Sequence, residues 1–165
     1  MNKAVFLDRD GVINDGSLYY TYKVEDFKFN AGVFAGLKIL QDAGYLLVVI
    51  TNQSGVAKGA YTEQDVAAVH TYMVEELGLR GISIKGVYYC PHHPDVSRCD
   101  CRKPSVGMIE QAIKDLGIDR SRSFMIGDSN RDVEAAVKAG VTPVKTSKNE
   151  DIEPWCRKIV AGAIS

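Results

Sequence analysis

Residues 5–14 read VFLDRDGVIN, and this stretch decides the fold. A short apolar run ends abruptly in two aspartates, Asp8 and Asp10, followed by Gly11. A run of that kind suits a strand buried on both faces, with the polar residues emerging where it ends. Four more runs have the same character: Tyr45–Thr51, Ile84–Cys90, Ser123–Ile126 and Thr142–Lys145. Between them lie helical patterns. Val33, Leu37 and Leu40 mark a helix stopping at Gly44, and Thr62 with Asp65 marks the start of one running to about Leu77. Val106–Leu116 and Arg131–Ala139 each precede a glycine, while the tail 150–161 is a weaker helix with Pro154 inside it. This alternation predicts an α/β fold, a doubly wound parallel sheet, as a single domain over residues 1–165.

The bulk composition narrows the function. The 165 residues are 45% hydrophobic and 25% charged, an ordinary globular balance able to bury a core. Lys and Arg number 20 against 21 acidic residues, for a net charge of -1. That excludes the basic surplus of a nucleic-acid module. No apolar run approaches the roughly 18–20 residues of a membrane span, and Met1-Asn2-Lys3 leads straight into a strand. The expectation is a cytoplasmic monomer without a membrane or nucleic-acid partner. Four cysteines in a reducing compartment suit thiols or metal ligands better than disulfides.

Three polar segments follow three different strands: Asp8–Gly11, Thr51–Gly55 and Gly127–Asp132. In open parallel sheets the ligand crevice lies beyond the carboxyl ends of the strands, so these segments can converge. Asp8 and Asp128 would then meet, with Asp10 and Asp132 nearby. Like charges that close require a cation between them, and hard oxygen ligands suit Mg²⁺. A carboxylate-held metal at such a place commonly holds a phosphoryl group. Asp8 is the candidate nucleophile and Asp10 the candidate general acid and base. Thr51 offers a hydroxyl and an N–H to the phosphoryl oxygens, and Lys103 a neutralising charge. Each motif alone also fits a turn or a helix start; their order on one scaffold is what carries the reading.

The segment CPHHPDVSRCDC places Cys90, His92, Cys99 and Cys101 in a C-x-H-x6-C-x-C spacing. Three thiolates and an imidazole suit tetrahedral Zn²⁺, and four ligands leave no open position, so the site would be structural. His93 is the alternative to His92. Cys156, far down the chain, is expected to be a buried or idle thiol. Zinc would also fix Arg102 and Lys103, which follow Cys101 directly.

The order D-x-D-G, a strand ending in Thr, a Lys, then G-D-x-x-x-D closely resembles the haloacid dehalogenase superfamily of aspartate-nucleophile phosphatases, from about Ala4 to Lys145. The resemblance implies Asp8 as nucleophile, Asp10 as acid and base, Thr51 and Lys103 as the phosphoryl-stabilising pair, and Asp128 as a magnesium ligand supported by Asp132. It also implies a magnesium site shared by Asp8, Asp10 and Asp128. The P-type ATPase branch has Thr where Asp10 stands, so Asp10 implies ester hydrolysis. The cysteine loop resembles that of a small capless, zinc-containing branch, and His92 is the zinc ligand in that pattern. About 20 residues between Asp10 and Asn30 are too few for a cap. Within that branch, TNQSGVAKG and CPHHP imply a phosphorylated sugar as substrate, a heptose 1,7-bisphosphate first and histidinol phosphate as the alternative. Asn52, Ser54, Gly55 and Arg102 match substrate-binding positions. Two positions depart from the branch: DGSLYY replaces its D-x-G-Y turn, and Ser129 stands where it has Lys. A response-regulator receiver domain uses similar groups, but its acceptor aspartate follows the third strand rather than the first.

Overall fold

The computed structural model describes residues 1–164. Five strands, β1 (Ala4–Leu7), β2 (Leu46–Asn52), β3 (Ile84–Cys90), β4 (Phe124–Gly127) and β5 (Thr142–Lys145), form one sheet in the order β3-β2-β1-β4-β5. Every pairing is parallel. Four α-helices connect them, α1 (Val33–Asp42), α2 (Glu63–Leu79), α3 (Gly107–Leu116) and α4 (Asn130–Ala139), and a fifth, α5 (Glu153–Val160), follows β5. The α/β class, the five strands and the helices between them match the reading of the sequence.

β1 shows why its run is unbroken. Val5 and Leu7 point into a core shared with Val33, Leu37 and Leu40 of α1 and with Val69 and Met73 of α2. Ala4 and Phe6 point the other way, against Met108 and Ile109 of α3 and Ala135 and Ala136 of α4. Both faces are covered, so alternation disappears from the sequence.

Two strand ends fall one residue later than expected. Asn52 still pairs with Cys90, and Gly127 with Lys145, so inter-strand register carries each strand one residue past its apolar run. Thr62 caps α2 as expected: its hydroxyl accepts from Asp65 N at 3.1 Å and its N donates to Asp65 Oδ2 at 2.9 Å. The tail helix is real because Pro154 occupies its first turn, where the missing N–H would have no intrahelical partner. Cys156 on that helix is fully buried, its sulfur under Gly36 of α1, and burial pushes its thiol up to about 12.

The strand order reverses between β1 and β4. After β1 the chain builds β2 and β3 on one side, then crosses to lay β4 and β5 on the other. The crevice beyond such a reversal is where ligands of open α/β sheets bind. Asp8 leaves β1 and Asp128 leaves β4 at that point, tied together by Asp8 N donating to Ile126 O at 3.0 Å. Residues 11–32 hold one short 3-10 turn, Val24–Asp26, and no inserted domain. Among the described residues no helix is long and apolar enough to cross a membrane.

Candidate active site

Carboxylate oxygens of Asp8, Asp128 and Asp132 lie within 4.8 Å of one another. Lys103 Nζ reaches into the cluster, donating to Asp8 Oδ1 at 2.9 Å, Asp132 Oδ1 at 2.6 Å and Ile50 O at 3.0 Å. Lys103 is only 3% exposed. Burial opposes its charge, yet Asp8 and Asp132 hold its pKa above the usual lysine value. Asp8 is raised well above the ordinary carboxylate range, first by burial; Lys103 pulls it back, and Asp132 and Asp128 push it further up. Asp128 is also raised, chiefly by burial. One ammonium cannot balance three gathered carboxylates. Hard oxygen donors crowded in this way fit a divalent cation such as Mg²⁺.

Gly11 lets the cluster close. Its φ of +86° lies in the left-handed region, and a Cβ there would collide with the Asp128 carboxylate. Asp132 opens α4, its Oδ2 accepting from Ser129 N at 3.1 Å while Oδ1 faces Lys103. It is therefore a buried partner of the lysine rather than a free ligand.

Asp10, expected to share the magnesium site, is not among the three gathered carboxylates; it lines both lobes of the crevice and is held on both oxygens. Oδ1 accepts from Arg9 Nη2 at 2.7 Å, Arg9 Nε at 3.2 Å and Asn14 Nδ2 at 3.0 Å. Oδ2 accepts from Gln53 Nε2 at 3.1 Å. Arg9 is fully buried, with Nη2 also donating to Thr21 O at 2.7 Å and Nη1 facing His70 Nε2 at 3.2 Å. Burial, then the Arg9 charge, lowers His70 to about 3, so the ring is neutral and can accept from Arg9. Arg9, Asn14, Gln53 and His70 are absent from the sequence-based site: Arg9 and Asn14 stand one and four residues from Asp10 but form no motif with it, Gln53 is 43 residues away, and His70 joins only through Arg9, 61 residues from it.

The other expected residues divide. Thr51 is buried at the end of β2 and lines the lobe of the crevice holding Asp8, Lys103 and Asp128. Asn52 lines the crevice as well, but its side chain clasps the Lys103 backbone, accepting from Lys103 N at 3.0 Å and donating to Lys103 O at 3.3 Å. Ser54 and Arg102 line an adjoining lobe. Gly55 does not open to the crevice as expected. It is buried against Tyr61, and a Cβ there would overlap the ring. The two lobes, about 390 and 400 Å³, share Asp10, Tyr19, Asn52 and Arg131. Arg131 escaped the sequence reading because it sits between motif positions. Neither Arg102 nor Arg131 has a carboxylate within ion-pair distance among the described residues. Burial and then the nearby Arg131 charge lower Arg102 from the usual arginine value.

The cysteine loop gathers Cys90, His92, Cys99 and Cys101, their ligand atoms within 4.8 Å of one another. Cys90 Sγ is 3.5 Å from Cys99 Sγ and 3.5 Å from His92 Nδ1, which is 3.3 Å from Cys101 Sγ. The Cys90 and Cys101 sulfurs are in direct contact. Zn–S bonds of about 2.3 Å and Zn–N bonds of about 2.0 Å imply tetrahedral edges of roughly 3.5–3.8 Å, close to three of these four spacings. A Cys90–Cys101 bond alone would not bring His92 and Cys99 to the same point; a zinc-type ligand set does. His93 lies apart, accepting from Asp95 N at 3.1 Å and lining the crevice. Cys101 is followed at once by Arg102 and Lys103, so the loop sets both.

A pocket of gathered carboxylates at the reversal of a parallel sheet, with a lysine against the first aspartate of D-x-D-G, defines a haloacid dehalogenase-type phosphatase, and the chain belongs to that superfamily. Residues 100–154 match the HAD-hydrolase-like family. The D-glycero-beta-D-manno-heptose-1,7-bisphosphate 7-phosphatase of Haemophilus ducreyi is 49% identical over 145 residues, covering 84% of this chain and 79% of that protein. Its namesake from Haemophilus influenzae is 43% identical over 146 residues, covering 86% and 79%. The crystal structure of D,D-heptose 1,7-bisphosphate phosphatase from B. bronchiseptica, complexed with magnesium and phosphate, superposes with a TM-score of 0.83. That protein is 32% identical, and the match covers 97% of this chain and 86% of that one. The chain is a phosphoric monoester hydrolase.

Proposed function

We propose that the protein is a magnesium-dependent phosphatase that removes the 7-phosphate of D-glycero-D-manno-heptose 1,7-bisphosphate through a phosphoaspartate on Asp8. The observation that carries the chemistry is Asp8 at the reversal of the sheet, with Lys103 Nζ 2.9 Å away and two further carboxylates beside it. An Asp8 oxygen attacks phosphorus while the ester P–O bond breaks. Asp10 gives a proton to the departing sugar oxygen. Water then attacks the phosphoaspartate, Asp10 takes its proton, and Asp8 is released. Lys103 and Thr51 hold the phosphoryl oxygens throughout. Asp8 and Asp128, beside Asp10, would hold Mg²⁺, which supplies charge neutralisation of the transferring group. Zn²⁺ in the cysteine loop would serve structure alone.

The names of the relatives support the substrate, as do two guanidinium groups along the second lobe that have no acidic partner among the described residues. A bisphosphorylated sugar brings an anion to each lobe, whereas histidinol phosphate brings an ammonium group to the arginines. We also read the chain as a cytoplasmic monomer handling small sugar phosphates, a state that size-exclusion chromatography checks. The deciding experiment is phosphate release from the heptose bisphosphate and histidinol phosphate side by side, with Mg²⁺. The bisphosphate gives the higher kcat/KM, and Asp8→Asn lowers turnover roughly 10³-fold or more without loss of fold. A higher efficiency on histidinol phosphate would replace the substrate; an active Asp8→Asn would end the nucleophile assignment.

A further inference from the structure

Gln53 is 2% exposed and touches both Asp10 and Thr51. Its one amide nitrogen donates to Asp10 Oδ2 at 3.1 Å and to Thr51 Oγ1 at 3.0 Å. Its oxygen accepts from the Tyr61 hydroxyl at 2.6 Å. Every hydrogen-bonding capacity of the –NH₂ group is used, and a carboxylate that can only accept sets which end of the amide faces Asp10. Tyr61 secures that orientation from behind. Burial pushes the Tyr61 phenol up to about 12, so it keeps the proton it donates. The ring reaches Gln53 because Gly55 has no side chain in its path. The backbone is anchored too, Gln53 N donating to Cys90 O at 2.7 Å.

The consequence lies in the lone pairs. An ionised carboxylate has about four acceptor positions. Three donors crowd Oδ1 of Asp10, and Gln53 occupies one side of Oδ2. One position remains, on Oδ2. Thr51 is constrained in the opposite sense: because its oxygen accepts from Gln53, its own hydrogen is left to point elsewhere. Its nearest protein acceptor is Asn52 O, a weak 3.4 Å away.

We propose that Gln53 and Tyr61 are positioning residues that set the polarity of both groups, leaving Asp10 a single open lone pair for the transferred proton and Thr51 a free hydrogen for a phosphoryl oxygen. This rests on the acid and base role of Asp10 given above. In the first half-reaction the proton on that Oδ2 position passes to the sugar oxygen as its P–O bond breaks. In the second, a water proton returns to the same position as the water oxygen bonds to phosphorus and the Asp8–phosphorus bond breaks.

The test compares an alkyl ester, the heptose bisphosphate, with p-nitrophenyl phosphate, whose leaving group needs little protonation. Gln53→Leu disturbs both partners, so kcat falls on both substrates, but by about 10- to 100-fold more on the alkyl ester, with KM changed by less than about threefold. Tyr61→Phe keeps the ring, removes only the hydroxyl, and shifts the alkyl-to-aryl ratio in the same direction by a smaller factor. Thermal melting of both variants accompanies the kinetics. Equal losses on the two esters in both variants, or no loss, would overturn the proposal. Asp10→Asn run in parallel separates the failures. If it shifts the ratio and the other two do not, only the positioning role falls; if it leaves the ratio unchanged, the acid role of Asp10 falls and this inference with it.

Discussion

Lys103 Nζ donates to Asp132 Oδ1 at 2.6 Å, and both side chains are almost fully buried. Removing one member of a buried pair strands the other, at a cost of about 3–5 kcal/mol. Lys103 keeps Asp8, so Asp132→Asn is expected to cost about 3 kcal/mol, the lower end of that range. Turnover should also drop, because Asp8, the nucleophile, is then the one carboxylate bonded to the ammonium. Urea unfolding reads the first effect and phosphate release the second. A variant as stable and as active as the parent would show that Asp132 does not hold the lysine.

The two metal sites should separate under chelation. Mild EDTA strips the carboxylate site and stops turnover, and added Mg²⁺ restores it. Zinc, held by thiolates and an imidazole, stays at about one per chain under that treatment. A stronger chelator that removes it should lower the melting temperature and the activity together, since Arg102 and Lys103 follow Cys101 directly. Elemental analysis finding no zinc in purified protein would refute the loop assignment.

Much of this site is legible in the sequence because its parts obey local rules. A strand buried on both faces cannot alternate, so Ala4–Leu7 announces itself, and Asp8 follows where the crevice must lie. The ligand spacing of Cys90, His92, Cys99 and Cys101 is likewise short-range. What stayed hidden depends on contacts with no spacing rule. Nothing in the sequence singles out Arg9, yet it is buried between Asp10, Thr21 O and His70, 61 residues away. Gly55 reads as a residue lining the substrate site, but its missing side chain makes room for Tyr61. Asn149, at φ +63°, pins the loop after Asp10 by accepting from Gly16 N at 2.9 Å across 133 positions. Tertiary geometry alone brings such pairs together.

His70 makes a pH prediction. Its folded pKa, about 3, is below the unfolded value near 6.5. Below about pH 6.5 the unfolded chain binds a proton that the folded chain refuses, so unfolding is favoured as pH falls. The contribution is nil above that pH and grows by about 1.4 kcal/mol per pH unit below it, until the folded ring titrates. His70→Gln can still accept from Arg9 and should flatten the acid limb by that slope. Denaturant midpoints compared across about pH 4.5–7.5 test this; parallel limbs in parent and variant would contradict it.

The last prediction concerns the second lobe of the crevice. Arg102 and Arg131 line it together, and Arg131 also borders the lobe with Asp8 and Lys103. Two guanidinium groups this close repel unless an anion comes between them, and the lowered pKa of Arg102 carries the mark of that repulsion after burial. A substrate with a phosphate at each end relieves it; a small aryl phosphate does not reach. Arg102→Ala should therefore lower kcat/KM for the heptose bisphosphate by roughly 10- to 150-fold, the loss of one charge-assisted contact of about 1.5–3 kcal/mol. Arg131→Ala should act in the same direction, and the double variant less than additively, since both groups meet one anion. On p-nitrophenyl phosphate all three variants should lose far less. Equal losses on the two substrates would place these arginines in the phosphoryl chemistry itself rather than at the far end of the sugar.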